Sequence, residues 1–196
     1  MPYNSKIYAC WPRAVRWNYP HLIRCLKPQR GERILEIGCA RGVMTKRIQH
    51  LAPDTCGIDI NEEAIRHSVT GNLFVMNAEK LEFQDESFDK IYSLHTIEHI
   101  PNPIKALSEM ARVLKPGGAI VLFYPAEPIR GVFAIPAAIA LFRDPFRARD
   151  VHLHRVTPAK IETWIKDLNL EYIKSDLDLF PAPQFFTLLR KRRNIE

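Results

Sequence analysis

The sequence predicts an α/β protein with a doubly wound, mostly parallel, seven-stranded sheet and an antiparallel last strand. Short, mostly apolar runs of strand length alternate with helical patterns, which is typical of a parallel sheet covered by helices on both faces. The last two runs are joined by fewer than the roughly dozen residues that a parallel crossover needs, so the last strand should be antiparallel. A chain of 196 residues, 46% of them hydrophobic, can build one domain around a full-sized core.

The elements follow from local patterns. Seven strands are predicted at residues 33–38, 55–60, 73–77, 88–94, 119–124, 170–177 and 184–190. Four helices are predicted at residues 42–51, 62–69, 103–114 and 158–168. Asn102 and Thr157 each precede a proline, a pairing typical of a helix start, because the side chain caps free N–H groups and proline has none to cap. The KPGG stretch at 115–118 ends the third helix.

Two segments lie outside this alternation, within a predicted single domain spanning residues 1–196. Residues 1–30 are predicted to form an N-terminal lid helix, which carries Trp11, Trp17, Tyr19 and His21. Residues 125–152 form an apolar insertion edged by Arg130, Arg143, Arg147 and Arg149. We expect this insertion to be a lid over an apolar substrate, a helix pair packed on the core, or a weak contact with a membrane surface.

Composition argues against a disulfide-rich, membrane-spanning or nucleic-acid-binding protein. The cysteines Cys10, Cys25, Cys39 and Cys56 are widely spaced, so we interpret them as reduced thiols of a cytoplasmic protein rather than disulfides or a zinc site. The longest apolar run, residues 132–142, is shorter than the roughly 20 residues of a membrane span. The net charge of +6 draws on the basic run at 190–193, which we interpret as a solvated tail, and we find no strong nucleic-acid signal.

The first motif that points to a function is ILEIGCARG, residues 34–42, where a predicted buried strand ends in a glycine turn that leads into a helix. Gly38 lets the backbone approach a ligand closely, and the helix N-terminus near Gly42 offers N–H groups to an anion. Asp59 follows 21 residues after Gly38 at the end of the second strand, where it can accept hydrogen bonds from a ribose diol. These features predict an adenosine-containing cofactor, either a dinucleotide or S-adenosylmethionine.

Two details favour S-adenosylmethionine. The turn GCARG lacks the glycine that admits the pyrophosphate of a dinucleotide. Glu36 is an ionisable residue inside the first strand, and a buried carboxylate is costly unless a cation or hydrogen-bond donors meet it. The ammonium of an amino-acid head group would be such a partner.

With these residues the chain resembles the class I S-adenosylmethionine-dependent methyltransferases, specifically the type 11 subgroup. The resemblance runs from about Gly31 to Arg190 and rests on four blocks in order: ILEIGCARG, GIDIN, NAEKLEFQDESFDKIYSLHTIEHIPNP and EMARVLKPGGAIVL. It implies a Rossmann-like fold, S-adenosylmethionine as cofactor and methyl transfer; the apolar insertion at 125–152 points to a small, apolar acceptor.

The resemblance also implies the site residues. At the methionine half of the cofactor it implies Glu36, Gly38 and Cys39, with Gly42 in the same turn. At the nucleoside it implies Asp59 on the ribose, Ile60 on adenine, and Asn77 and Ala78 at the adenine edge. Leu94 and His95 would lie beside the sulfonium and the acceptor.

Two residues depart from the family pattern. Ala40 stands where a glycine is usual and Asn77 where an aspartate is usual, so we expect somewhat altered cofactor binding. We also expect the turn at Ala40 to avoid positive φ, which alanine adopts rarely.

A general base is needed only if the acceptor must lose a proton. His95 is the candidate, because sheets of this type place their chemistry at the C-terminal ends of strands. We interpret His99 as a packing residue, and His152 and His154 as residues that orient their loop; a metal site there lacks an evident third ligand, so no metal is predicted. Tyr124 and Glu127 either line the acceptor pocket or are a strand-end aromatic and a solvated charge.

The predicted function is S-adenosylmethionine-dependent methyl transfer to a small, apolar molecule. The alternative is a fold that binds S-adenosylmethionine without methyl transfer, as a cyclase- or decarboxylase-like enzyme or as a non-catalytic binding subunit. The incomplete glycine pattern disfavours a nicotinamide dehydrogenase.

Overall fold

The structure is a computed structural model that describes residues 13–179 and 182–193, with side chains described from residue 18 onward. Its seven strands form one sheet in the order β3-β2-β1-β4-β5-β7-β6. The strands are β1 (Ile34–Ile37), β2 (Cys56–Asp59), β3 (Leu73–Val75), β4 (Phe88–Leu94), β5 (Leu114–Pro125), β6 (Leu170–Asp178) and β7 (Gln184–Lys191). Strands β1 to β5 pair in parallel, and β7 is antiparallel to both of its neighbours. The predicted fold class is confirmed.

The helices are α1 (Arg13–Leu26), α2 (Val43–Gln49), α3 (Glu62–Arg66), α4 (Pro103–Val113), α5 (Ile135–Phe142), α6 (Ala148–Val151) and α7 (Pro158–Trp164). Both predicted caps are present, because Asn102 accepts a hydrogen bond from the N–H of Lys105 and Thr157 accepts one from that of Lys160. None of the helices in the described part of the chain is long and apolar enough to cross a membrane.

The sheet has a hydrophobic cluster on each face. Along β5, Ile120 and Leu122 belong to one cluster, and Val121 and Phe123 belong to the other, as the alternation of side chains in a strand requires. Tyr124 is fully buried in the first cluster, and its hydroxyl lies 2.7 Å from Thr187 Oγ1, so it is a core aromatic.

The N-terminal helix α1 packs on the second cluster through Leu22 and Leu26, which lie one helical turn apart. Trp11 and Cys10 lie outside the described residues, as does the side chain of Trp17. The lid role predicted for residues 1–30 therefore stays a prediction.

The insertion at 125–152 folds into α5, α6 and two single-turn 3₁₀ helices. It has a small apolar cluster of its own, formed by Ala134, Ala138, Ala148 and Val151. On its outside Phe146 is 89% exposed and Ile139 is 50% exposed. The insertion is thus a compact helical unit that leaves large apolar side chains uncovered.

The sheet order also locates the site. Strand β1 has β2 on one side and β4 on the other, so the chain leaves β1 and β4 in opposite directions across the sheet. In open α/β sheets, ligands bind outside the carboxyl ends of the strands at such a reversal point. Strands β1, β2 and β4, together with the loops after β1, β2 and β3, carry the residues that the sequence predicted for the cofactor.

Candidate functional site

The turn after β1 is built on two glycines in the left-handed region. Gly38 has φ +78°, and a Cβ added there would lie 2.1 Å from the hydroxyl of Thr96. Gly42 has φ +76°, and a Cβ there would lie 2.4 Å from a methyl group of Leu73. Both positions therefore require glycine for backbone conformation and for packing within the chain itself.

The alanine that stands in place of the usual glycine in this turn has a backbone conformation that the sequence did not reveal. Ala40 adopts φ +47°, so the expectation that the turn avoids positive φ at this residue is wrong. The reason is a hydrogen bond: the Ala40 N–H donates to Asp59 Oδ2 at 2.7 Å, which holds the residue in a conformation that costs an L-residue about 1–2 kcal/mol.

Asp59, at the tip of β2, faces this turn. Its Oδ1 accepts a hydrogen bond from the N–H of Asn61 at 2.8 Å. Burial raises the pKa of Asp59, and the backbone N–H groups of Asn61, Ala40 and Ile60 partly offset this effect. A carboxylate has about four acceptor positions, so it can still accept hydrogen bonds from a diol. Ile60 beside it is 57% exposed, which leaves an apolar surface where an adenine ring would pack.

Glu36 is only 3% exposed, in the middle of β1. Its Oε2 accepts a hydrogen bond from the Thr45 hydroxyl and one of 2.8 Å from the Tyr92 hydroxyl. Burial raises the pKa of Glu36 to about 7 against the effect of these two hydroxyls. The hydrogen-bond donors that a buried carboxyl needs are thus supplied by Thr45 and Tyr92. Because its pKa is about 7, a cation bound nearby would shift Glu36 to the carboxylate form.

The loop after β3 lies next to Asp59, because Val75 pairs with Asp59 and the Met76 N–H donates to the Asp59 carbonyl. In this loop Asn77 is exposed and Ala78 is half-buried. Asn77 Oδ1 accepts a hydrogen bond from the N–H of Glu79 at 2.9 Å, which shapes the loop. The structure therefore brings the predicted ribose and adenine residues together at one edge of the sheet.

His95 follows Leu94 at the end of β4 and has φ +51°. Its Nε2 lies 2.9 Å from Gln184 Oε1, and its Nδ1 lies 3.7 Å from Glu98 Oε1. Burial lowers the pKa of His95, but Glu98 and Gln184 more than compensate, so the net shift is upward. The side chain is 34% exposed, so it is partly accessible to solvent.

Behind His95 lies a buried ionic cluster. Glu98 is 1% exposed, and among the described residues neither of its carboxylate oxygens has a hydrogen-bond partner. Glu98, His99 and His152 each offer a ligand atom within 4.8 Å of the other two, a geometry that would admit a metal ion. Other groups engage both imidazoles, since His99 Nδ1 lies 2.7 Å from the Val151 carbonyl and His152 Nδ1 lies 2.9 Å from Glu127 Oε1. That no metal binds here stays a prediction.

Glu127 is buried rather than solvated, and it anchors the insertion. Its carboxylate accepts hydrogen bonds from the N–H groups of Gly131 and Phe133, in addition to its contact with His152. Burial raises the pKa of Glu127, but His152 and the two N–H groups lower it by more than burial raises it, so the net shift is downward. His154 bonds the Ile100 carbonyl through Nε2 at 3.0 Å, which fits the predicted role in orienting its loop.

Sequence reasoning missed two residues that complete this site. Glu98 lies between the buried residues Ile97 and Ile100, and an ionisable residue beside buried apolar ones was the available signal. Gln184 gave no signal, because it meets His95 only through the pairing of β7 beside β5, across 89 residues of chain.

A sheet in this order, with a glycine turn after its first strand and an acidic residue at the tip of the second, defines the fold of S-adenosylmethionine-dependent methyltransferases. The chain belongs to the methyltransferase-domain family, whose sequence pattern it matches over residues 15–175. S-adenosylmethionine is accordingly the cofactor of its class, and the predicted membership of the methyltransferase family, with its fold, is confirmed.

Known proteins agree with this assignment. The ubiquinone biosynthesis O-methyltransferase of Nitrosococcus oceani is 31% identical over 154 residues, which cover 72% of this chain and 64% of the relative. A chain in the complex of the Haloferax volcanii Trm112 methyltransferase activator with a methyltransferase superposes with a TM-score of 0.77 at 17% identity, covering 97% of this chain and 96% of the other. A SAM-dependent methyltransferase of Methanosarcina mazei gives 0.67 at 21% identity, covering 90% and 99%. The chain spans just under two thirds of the length of the curated relatives that it matches.

Proposed function

We propose that the chain transfers the methyl group of S-adenosylmethionine to an oxygen atom of a small, apolar acceptor. The observation that carries this proposal is that the Asp59 carboxylate, bonded to the glycine turn, is followed by the exposed side chain of Ile60. Both lie at the point where the sheet order reverses. The O-methyltransferase named above supports an oxygen acceptor. Three free thiols, Cys25, Cys39 and Cys56, support a cytoplasmic location.

In this proposal the residues at the turn hold the methionine half: Glu36, Gly38, Cys39 and Gly42. Asp59 accepts the ribose hydroxyls, Ile60 packs on adenine, Asn77 and Ala78 meet the adenine edge, and Leu94 closes the site near the reacting carbon. The bound cofactor supplies a methyl group that is already activated. The chain therefore mainly aligns the reactants and excludes water.

On the acceptor side, His95 takes the proton of the acceptor hydroxyl. The insertion at 125–152 and helix α1 cover the acceptor. Two contacts support this role: His99–Val151 ties the insertion to the segment after β4, and Asn18 of α1 accepts a hydrogen bond from Gln184, the partner of His95. A weak membrane-surface contact through the exposed side chains of the insertion is the other role we predict for this segment.

The activity is tested by incubating the protein with S-adenosylmethionine and a panel of apolar hydroxylated compounds. We expect S-adenosylhomocysteine and an O-methylated product in equal amounts, measured by mass spectrometry. If the protein binds S-adenosylmethionine but forms S-adenosylhomocysteine with no member of a broad panel, the fold is used without methyl transfer and the proposal fails.

The cofactor assignment is tested by Asp59→Ala. The variant loses charge-assisted hydrogen bonds to the ribose, so we expect S-adenosylmethionine to bind more than tenfold more weakly, a loss of over about 1.4 kcal/mol. Isothermal titration calorimetry measures the affinity, with Asp54→Ala, an exposed aspartate just before β2, as the matched control. Unchanged affinity in a folded Asp59→Ala protein would show that the ribose site lies elsewhere.

A further inference from the structure

We propose that Gln184 is a positioning residue that makes Nε2 of His95 a hydrogen-bond donor, so that Nδ1, the nitrogen beside Glu98, is the atom that receives a proton. The catalytic part of this inference rests on the proposed role of His95 as a base. The hydrogen-bond direction follows from the geometry alone and can be tested without any acceptor.

The orientation of the Gln184 amide is set by Asp178. Gln184 is 3% exposed, and its Nε2 lies 2.8 Å from Asn18 Oδ1 and 3.5 Å from Asp178 Oδ2. Asp178 and Gln184 are direct partners in the β6–β7 ladder, so this proximity is built into the sheet. A carboxylate only accepts hydrogen bonds, and turning the amide over would bring two acceptor oxygens together. The NH₂ group of Gln184 must therefore face Asp178 and Asn18.

This orientation fixes the proton on His95. The carbonyl oxygen of Gln184 is left facing His95 Nε2 at 2.9 Å, and because that oxygen only accepts, Nε2 must carry the hydrogen. A neutral imidazole has one N–H, so the lone pair of neutral His95 lies on Nδ1. The usual assumption that the outer nitrogen of a catalytic histidine is the base does not apply to this arrangement.

The surroundings of Nδ1 favour uptake of a proton. Glu98 Oε1 is 3.7 Å away, on a buried carboxylate that has no hydrogen-bond partner among the described residues. A buried charge of this kind is costly unless it is paired, so an imidazolium at His95 lowers the cost. His99 also faces Glu98, with its Nε2 at 3.8 Å, and shares this carboxylate with His95. On the far side of Gln184, Asp178 is paired with His21 at 3.1 Å.

The acceptor O–H bond breaks and its proton moves to Nδ1 of His95, while the electron pair left on oxygen forms the bond to the methyl carbon. The electron pair of the breaking carbon–sulfur bond stays on sulfur. The imidazolium then returns its proton to water, and Gln184 keeps the ring in place throughout because its bond is to the other nitrogen.

The experiment is a long-range ¹H–¹⁵N correlation spectrum of the labelled protein in the presence of a chelator, at a pH where His95 is neutral. His95→Gln identifies its signals among those of the 7 histidines. We expect a protonated Nε2 and an unprotonated Nδ1. A spectrum in which neutral His95 carries its proton mainly on Nδ1 would overturn the proposal, whatever the activity assays show.

Two variants separate positioning from folding. Asp178→Asn keeps the shape of the side chain but can donate as well as accept, so we expect His95 to become a mixture of both tautomers. Gln184→Leu removes the acceptor, and we expect the methyl-transfer rate to fall at least tenfold with unchanged affinity for S-adenosylmethionine; Gln84→Leu, at an exposed glutamine, is the control. A Gln184→Leu protein that keeps both the wild-type tautomer and the wild-type rate would contradict the proposed role.

Discussion

Ala40 occupies a left-handed backbone conformation, yet its N–H holds one oxygen of the Asp59 carboxylate in place. The Asn61 N–H holds the other oxygen of this carboxylate. Ala40 thus combines local strain with a contact in the proposed cofactor site. Glycine would adopt the same φ without the clash of a Cβ and would keep the same N–H. The cost of alanine here is a property of the folded state, so it can be measured without any ligand.

We expect Ala40→Gly to raise the free energy of unfolding by about 0.5–1 kcal/mol, because relief of the left-handed strain exceeds the entropy that glycine adds to the unfolded chain. Urea unfolding followed by circular dichroism measures the change. The control is Ala159→Gly, at an exposed position of helix α7, where the same substitution should destabilise by up to about 1 kcal/mol. A loss of stability in both variants would show that Ala40 is not strained.

The raised pKa of Glu36 predicts that S-adenosylmethionine binding releases protons and depends on pH. Its pKa of about 7 means that roughly half of the molecules hold this proton at pH 7. An ammonium group placed nearby favours the carboxylate, so S-adenosylmethionine binding should release up to about half a proton at pH 7, and affinity should rise between pH 6 and 8. Calorimetry in buffers of different ionisation enthalpy measures the release, and Glu36→Gln should abolish it.

The same shift affects the unliganded protein. The folded-state pKa of Glu36 lies above the value of 4.5 for an unperturbed carboxyl, so its contribution to stability is present at low pH and is lost as pH rises through about 7. Glu36→Gln should therefore be more stable than the wild type at pH 8 in the absence of cofactor. A pH-independent difference between the two proteins would argue against the raised pKa.

At the scale of elements, the strands were predictable because burial on both faces forces apolar runs that sequence alone displays. Strand β4 was predicted with its observed bounds, and the caps at Asn102 and Thr157 were found because capping is a local property. The contacts around His95 were not predictable, since they depend on which strands become neighbours. Likewise, the sequence left Glu127 either as a residue of the acceptor pocket or as a solvated charge, and only the fold shows that the insertion buries it.

The contacts of Glu127 predict how the insertion at 125–152 is held in place. The Glu127 carboxylate accepts hydrogen bonds from two N–H groups of the segment that leads into α5. It also contacts His152, so it joins both ends of the insertion. We expect Glu127→Ala to increase hydrogen exchange throughout residues 128–151 while exchange in β1 and β4 is unchanged. Asp150→Ala, which removes only the exposed pair with Arg147 in the same insertion, should leave exchange nearly unchanged. Equal effects of the two variants would mean that Glu127 is not the anchor.

At the scale of the whole molecule, the proposed cofactor residues come from the strands β1 to β4 of one sheet and the loops beside them, so a bound cofactor holds together parts of the chain that separate on unfolding. A ligand that binds only the folded state at 100 times its dissociation constant adds about 2.7 kcal/mol of stability. For a domain of this size that is a rise in Tm of about 5–10 °C. We expect this rise with S-adenosylmethionine, measured by scanning calorimetry, and no rise with NAD or NADP at equal concentration, because GCARG lacks the glycine that admits a pyrophosphate. An equal rise with NAD would mean that the crevice recognises adenosine alone, and the assignment of Glu36 to an amino-acid head group would fail with it.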